Sequence, residues 1–346
     1  GACPAPAAAT HRPLKIGHQG CCSVSDAADA RLVAAHLGIP LYICNFKKDF
    51  ARVIDYFVDE YARGRTPNPC VRCNDWLKFG KLHDYARSID ADFVASGHYA
   101  RIENGRLLRA VDHAKDQSYV LFGIPRAQLA RTLLPIGALR KPDVRALAAE
   151  LGLPVAEKPD SQEICFVPDN DYAALVEHRA PHLARSGPIL DQQGAVVGHH
   201  TGHHRFTMGQ RRGLSVALGY PIYVTGKDPD SNTVRVGPRQ DLLASGCDVA
   251  EANWLTGEPA PGESRPVLAR YRSTGPLVPA TMRTLEPAPA PAPGGAPAPS
   301  GRAARFSVDF DQPQEAVTPG QALVLYGAHE PDHVLAGGWI EHTRRP

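Results

Sequence analysis

The hydrophobic pattern of the chain changes period near Cys165, and that change constrains the fold more than any other feature. Upstream, helical and strand patterns alternate. In "DFARVIDYFVDEYARG" the residues Phe50, Val53, Ile54, Phe57, Val58 and Tyr61 fall on one helical stripe that Gly64 ends. "SDAADARLVAAHLG" places Ala28, Leu32 and Ala35 on one face, with Asp26 as cap and Gly38 as stop, and "IPLYIC" after it reads as a buried strand. A third helix is expected after the pair Cys70 and Cys73, with Phe79, Leu82, Ala86 and Ile89 inward. "DFVASG" is the next strand, and "KPDVRALAAELGLP" a further helix with Pro142 near its first turn. Strands alternating with helices of this length predict a parallel sheet with helices on its faces. Downstream, "GPILD", "PIYVTG", "NTVRVG", "RFSVDF", "ALVLYG" and "HVLAGGWI" are short β-type runs between glycine and proline turns. The expected architecture is an α/β domain over residues 1–170, a small β-rich domain over 171–243 and a β-barrel over 244–346. A proline- and alanine-rich stretch, 286–301, reads as a loop between two strands of that barrel.

At 346 residues, two or three domains are the prior, and 43% hydrophobic residues suffice for ordinary cores. The net charge of +2 argues neither for nor against an acidic partner. No apolar run approaches the roughly 18 residues of a membrane span. The opening "GACPAPAAAT" lacks the charged-then-apolar order of a signal peptide. The eight cysteines therefore read as thiols of a reducing compartment, and a cytoplasmic location without membrane contact is expected.

Chemistry concentrates in a few segments. "SGHYAR", Ser96 to Arg101, follows a predicted strand at the end where parallel sheets bind ligands. Gly97 there would allow close backbone approach and His98 could donate to a phosphate or a base; a plain strand-to-loop turn reads equally well. "RTPNPCVRCN" sets Cys70 and Cys73 two residues apart behind a proline-stiffened turn. A structural zinc site needs about four ligands, and Cys21 and Cys22, being adjacent, chelate poorly. A thioredoxin-type pair would open a helix after a strand, whereas this one follows a helix, Gly64 and two prolines. The third reading is a reactive thiol before a helix starting near Asn74, whose amide dipoles would lower the pKa of Cys73. Burial as small apolar residues fits poorly between Arg72 and Asn74. Cys165, in "KPDSQEICFVPDN", sits between Ile164 and Phe166 and reads as buried unless it exchanges sulfur with a distant thiol. Arg205, Arg211 and Arg212 in "HHRFTMGQRRGL" suit phosphate contacts or a solvated turn at Gly209.

In order, "GRTPNPCVRCN…KF", "GHYAR", "LLRAVDHAKDQSYVLF", "KPDSQEICF", "FTMGQRRGL", "ARYRS" and "VTPGQALVLY" resemble the tRNA-specific 2-thiouridylase family of the MnmA type, from about Gly17 to the C terminus. The resemblance implies an adenine nucleotide alpha hydrolase type of α/β domain and the replacement of the 2-oxygen of a tRNA wobble uridine by sulfur. ATP, with Mg, would activate that oxygen, and a persulfide supplied by an upstream donor protein would deliver the sulfur. It implies that Cys165 carries the persulfide and Cys73 attacks it, the two forming a disulfide, and that Asn68, Pro69 and Cys70 border the target base. Gly97 would touch the nucleotide, while His98, Lys115, Asp116, Gln117, Arg270, Tyr271 and Gln321 would contact the anticodon region of the tRNA. Family members open on an SGGxDSS-like pyrophosphate loop. Only sixteen residues precede Gly17 here, against the roughly 30 of a strand–loop–helix–strand unit. The expectation is a chain truncated ahead of that loop, impaired in using ATP. Two alternatives stand beside it: a tRNA-binding relative without catalysis, and thiolation through an iron–sulfur cluster on Cys70, Cys73 and Cys165.

Overall fold

The structure, a computed structural model, describes residues 24–159, 164–287 and 304–346. The long amphipathic helix forms as expected over Lys47–Ala62. It buries Val53, Ile54, Phe57, Val58 and Tyr61, and Gly64 turns the chain at φ +71°. The segment after it differs. The next helix starts at Pro69, ahead of the cysteine pair rather than behind it, runs over Pro69–Cys73, widens to a π-helical register over Asn74–Lys81 and continues as Leu82–Ser88. Phe79 and Ala86 are buried as expected, but Ile89 lies past the last turn and is exposed.

Two expectations upstream fail. Val24–Leu37 is helical and stops at Gly38, yet Ala28, Leu32 and Ala35 face solvent and Ala34 alone is buried; Asp26 lies inside the helix and pairs with Lys158 instead of capping. "IPLYIC" forms no strand, and its Ile43 is 67% exposed. A strand persists only when a neighbour takes its backbone hydrogen bonds, and among the described residues none pairs with 39–44. Among the described residues of the α/β part, Val94–Ala95 pairs in parallel with Thr132–Leu133. An antiparallel hairpin follows, Ala100–Glu103 on Arg106–Arg109. Lys141–Glu150 is helical with Pro142 in its first turn.

After Cys165 the chain first adds a helix that the β-type pattern does not show. Tyr172–Arg179 is a helix, capped by Asp171, whose carboxylate accepts the Ala174 N–H at 3.0 Å. Its Leu175 and Val176 join the Val53, Ile54 and Phe57 face of the long helix in one core. Beyond it, four strands form a sheet in the order Val196–His200, Gly187–Leu190, Thr233–Gly237, Tyr223–Asp228. A closed six-stranded barrel begins at Leu243–Trp254 and is completed by Ser264–Arg270, Val278–Leu285, Arg305–Glu315, Ala322–Gly327 and Val334–Arg344. Leu285 pairs with Arg305, so the proline-rich insertion connects two adjacent strands; residues 288–303, which include most of it, lie outside the described ones.

The run "ALVLYG" explains how barrel and α/β part meet. Leu323 and Leu325 point into the barrel core, while Ala322, Val324 and Tyr326 join Val71, Phe79, Tyr119 and Phe122 in a second core outside it. A strand buried on both faces loses the alternation of apolar and polar residues. Gly337 on the neighbouring strand permits the same approach, because a Cβ there would run into the Phe122 ring.

Candidate functional site

The cysteine pair sits on the short helix that opens this joint. Pro69 occupies its first position, where a missing N–H costs nothing, and the Asn68 side chain accepts the Val71 N–H at 3.4 Å. Cys70 is therefore in the first turn and exposed, whereas Cys73 is half-buried and lies past it. Cys70, not Cys73, is therefore the thiol beside a helix start. The polar neighbours Arg72 and Asn74, taken above as signs of exposure, are both buried.

What buries them is the barrel. Arg72 is 2% exposed and donates to both carboxylate oxygens of Glu251, at 2.9 and 3.1 Å, with its guanidinium 3.9 Å from the Trp339 ring centroid. Gln321, from the turn before a barrel strand, donates to the carbonyls of Thr66 at 3.0 Å and Pro67 at 2.9 Å. The Thr66 N–H donates to the Pro319 carbonyl at 3.0 Å, and the Asn68 amide reaches Gln321 at 3.5 Å. The loop ahead of the thiols is held through its backbone by the C-terminal barrel. Sequence reasoning missed Arg72 and Glu251; they stand 179 positions apart, and no local pattern links them.

Cys165 is half-buried against the core that contains Phe57, Leu77 and Phe166, with Trp76 beside it. Trp76 and Leu77 belong to the helical turn directly after Cys73, so both thiols border one stretch of helix. The acidic and polar residues Asp160 to Glu163 fall outside the described residues, as do Cys21 and Cys22 and the residues ahead of Gly17. Among the described residues no group of three or more His, Cys, Asp or Glu is placed to hold a metal, so Cys70, Cys73 and Cys165 are not gathered for an iron–sulfur cluster.

Gly97 lies at the C-terminal end of the parallel strand Val94–Ala95, exposed, with no atom nearer than 4.0 Å to where a Cβ would stand. That leaves room for a nucleotide beside the sheet. His98 is buried, its Nδ1 bonded to the Ser96 hydroxyl at 2.7 Å. Burial first, and then the charge of Lys78, push its pKa down to about 4. It is a neutral imidazole near pH 7, able to offer a hydrogen bond but no charge.

Asp116 and Arg270 depart from the expected role. Arg270 donates to the Asp116 carboxylate at 2.7 Å, and that carboxylate also accepts from the N–H groups of Ala110 and Ser118 at 3.1 Å and from the Ser118 hydroxyl at 3.0 Å. Both side chains are buried. They join the barrel to the α/β part instead of presenting a face to RNA. Lys115 is half-buried and Gln117 exposed, the latter accepting the Tyr99 N–H at 2.9 Å; Tyr271 is half-buried, donating to Gln314 at 3.3 Å.

The other side of the Gln321 joint opens into a cleft of about 960 Å³ where all three parts of the chain meet. Thr66 and Gln321 form one wall; Arg205, Arg211, Arg239 and Arg272 line the rest, with Glu315 the acidic member. Glu315 pairs with Arg239 at 2.8 Å and Glu177 with Arg205, which leaves the cleft basic on balance. Such a surface attracts a polyanion.

Comparisons with known proteins agree with this layout. Residues 8–169 match the tRNA methyl transferase HUP domain, residues 175–238 the tRNA methyl transferase PRC-barrel domain, and residues 298–340 the aminomethyltransferase beta-barrel domain. The fold class expected from the sequence is thereby borne out. Among curated relatives, the tRNA-specific 2-thiouridylase MnmA of Geobacter metallireducens is 47% identical over 327 residues, covering 93% of this chain and 83% of that protein. That of Rhodopirellula baltica is 45% identical, covering 94% and 79%. That of Moorella thermoacetica is 45% identical, covering 95% and 88%.

Proposed function

The chain belongs to the tRNA-specific 2-thiouridylase family of the MnmA type, and on that premise we propose that it replaces the 2-oxygen of the wobble uridine in tRNA by sulfur. The observation that carries the reading is the exposed Cys70 thiol on a short helix whose preceding loop is held by the barrel, at Thr66 and Gln321, in the wall of a basic three-way cleft. An anticodon base splayed from its loop is the kind of single-stranded target a protein reads directly. Asn68, Pro69 and Cys70 border that base, and Arg205, Arg211 and Arg272 hold the phosphates around it. Lys115, Gln117, Tyr271 and Gln321 add contacts, with His98 as a neutral hydrogen-bonding group; Asp116 and Arg270 act through the joint they hold.

ATP, bound with Mg, would supply the activation: its adenylyl group would pass to the uridine 2-oxygen as pyrophosphate leaves, so that the oxygen can depart with AMP; Gly97 borders the nucleotide. Cys165 carries a persulfide received from an upstream donor. The Cys73 thiolate attacks the inner sulfur, the Cys165 S–S bond breaks, and hydrosulfide departs while a Cys73–Cys165 disulfide forms. Hydrosulfide adds at C2 and AMP leaves with the oxygen. An external thiol reductant then returns both cysteines to the thiol form, so electrons balance. The half-buried setting of Cys165 protects the persulfide from water.

We place the domains at 1–170, 171–243 and 244–346 and the protein in the cytoplasm; among the described residues no helix is long and apolar enough to cross a membrane. We propose that the chain binds tRNA and uses ATP to activate it. Incubating it with tRNA, ATP, Mg and a persulfide, then analysing nucleosides by mass spectrometry, tests the function. Wobble 2-thiouridine that requires ATP supports thiolation, and tRNA binding without any product supports the binding-only alternative.

A further inference from the structure

The reading above places Cys70 beside the base and uses Cys73 as the attacking thiol, and it leaves unexplained the charged residue between them. A buried arginine is costly, and an apolar residue of similar volume would fill the place without that cost. Yet Arg72 is among the most buried charged groups described, and its surroundings are built for it. Glu251 accepts in the two-pronged geometry that suits a guanidinium. Trp339 stacks at 3.9 Å, and the Tyr56 and Trp76 centroids each stand 5.1 Å away. Glu251 holds its place at φ +50°, a left-handed conformation that a side chain other than glycine adopts only under constraint. Two charges, three rings and a strained backbone converge on one residue of the thiol helix.

The consequence is rotational. Successive helical residues are turned by about 100°. With Arg72 fixed against the barrel, Cys73 lies about 100° round the helix and Cys70 about 160° round in the same sense, nearly opposite Arg72, which matches one half-buried and one exposed thiol. The helix cannot hold that orientation alone. Pro69–Cys73 is five residues long, far below the length at which a helix is stable by itself. On its C-terminal side the register widens to the π form, an arrangement that sequence-local hydrogen bonding rarely favours. Gln321 fixes where the helix begins, and the Arg72–Glu251 pair fixes how far it is turned.

We propose that Arg72 is a positioning residue, through which Glu251 of the barrel turns Cys73 toward the persulfide and Cys70 toward the base. The kinetic part of its test rests on the thiolation reading; the labelling part does not. The variants are Arg72→Met/Glu251→Met, which fills the volume without leaving a lone buried charge, and Arg72→Lys, which keeps the charge and loses the fork. Three quantities are read: tRNA affinity, single-turnover thiolation rate, and the pH profile of iodoacetamide labelling at Cys73 relative to Cys70, resolved by mass spectrometry of one peptide.

The expected result for the double variant is a folded protein with tRNA affinity within about twofold and thiolation slowed about 10- to 100-fold, the scale of a small misplacement of reacting groups. Its Cys73-to-Cys70 labelling ratio shifts several-fold, and Arg72→Lys falls between it and the parent. A folded double variant with unaltered rate and labelling overturns the positioning role and leaves Arg72 as packing alone. If the double variant does not fold, Arg72→Lys decides, and parental values for it overturn the role equally. Should the parent protein fail to thiolate tRNA, the functional reading fails while the labelling ratio still tests Arg72.

Discussion

Replacing Arg270 by alanine separates two accounts of that residue. If it contacts a tRNA phosphate, its loss weakens binding and lowers the slope of log affinity against log salt by about 0.7–0.9, the share of one phosphate. The structure instead pairs it with Asp116 at 2.7 Å, both side chains buried, with a second bond to the Ser273 carbonyl. Removing one partner of a buried pair strands the other, at about 3–5 kcal/mol. Three remaining hydrogen-bond donors to Asp116, the N–H groups of Ala110 and Ser118 and the Ser118 hydroxyl, together with the Arg109 guanidinium 3.6 Å from the carboxylate, place the loss toward the lower end of that range. In a chain of several domains this should appear as a fall in melting temperature on the order of 10 °C in the transition that unites barrel and α/β part. The assays are differential scanning calorimetry and tRNA binding at several salt concentrations. Arg270→Ala should lower the melting temperature and leave the salt slope intact. A reduced slope with an unchanged melting temperature would refute the buried-joint account.

Further outcomes follow from other residues. His98, with its pKa lowered to about 4 by burial, binds fewer protons folded than unfolded between about pH 4 and 6.5; its contribution to stability is complete above that window and is lost as pH falls through it. An imidazole titration of His98 by NMR with a midpoint above 6 contradicts this. Gly337→Ala should destabilise the joint by about 1–3 kcal/mol, since the new Cβ meets Phe122, measurable as a lower urea midpoint; an unaltered midpoint removes the packing argument. Mild oxidation should cross-link Cys73 to Cys165, and a failure to cross-link in the presence and absence of tRNA counts against sulfur exchange between them.

Much of this molecule was legible from periodicity. The helix Lys47–Ala62 carries six apolar residues on one stripe, and the barrel runs are cut by glycine and proline at their ends, so the local pattern and the tertiary environment agree. "IPLYIC" misled because an apolar run reports a propensity for burial, while strand formation depends on a partner. The helix Tyr172–Arg179 was missed because its eight residues carry only a weak stripe amid turn-rich sequence. In the site, the thiols, Gly97 and His98 were visible as residue types at telling spacings. The Arg72–Glu251 and Asp116–Arg270 pairs were not, because their partners are 179 and 154 positions apart and meet only once the barrel docks. Gln321 was named for RNA contact; the structure adds that it grips the Thr66–Pro67 backbone.

The central claim is that sulfur reaches the tRNA through Cys165 and Cys73, on a helix set by the barrel. Single-turnover transfer from persulfide-loaded protein to tRNA already activated at the wobble uridine tests it without relying on the ATP step. The parent protein should yield 2-thiouridine with a Cys73–Cys165 disulfide in equal amount, and Cys73→Ser should bind the tRNA normally, retain the persulfide and form no product. Product formed by Cys73→Ser at the parental rate would contradict the account.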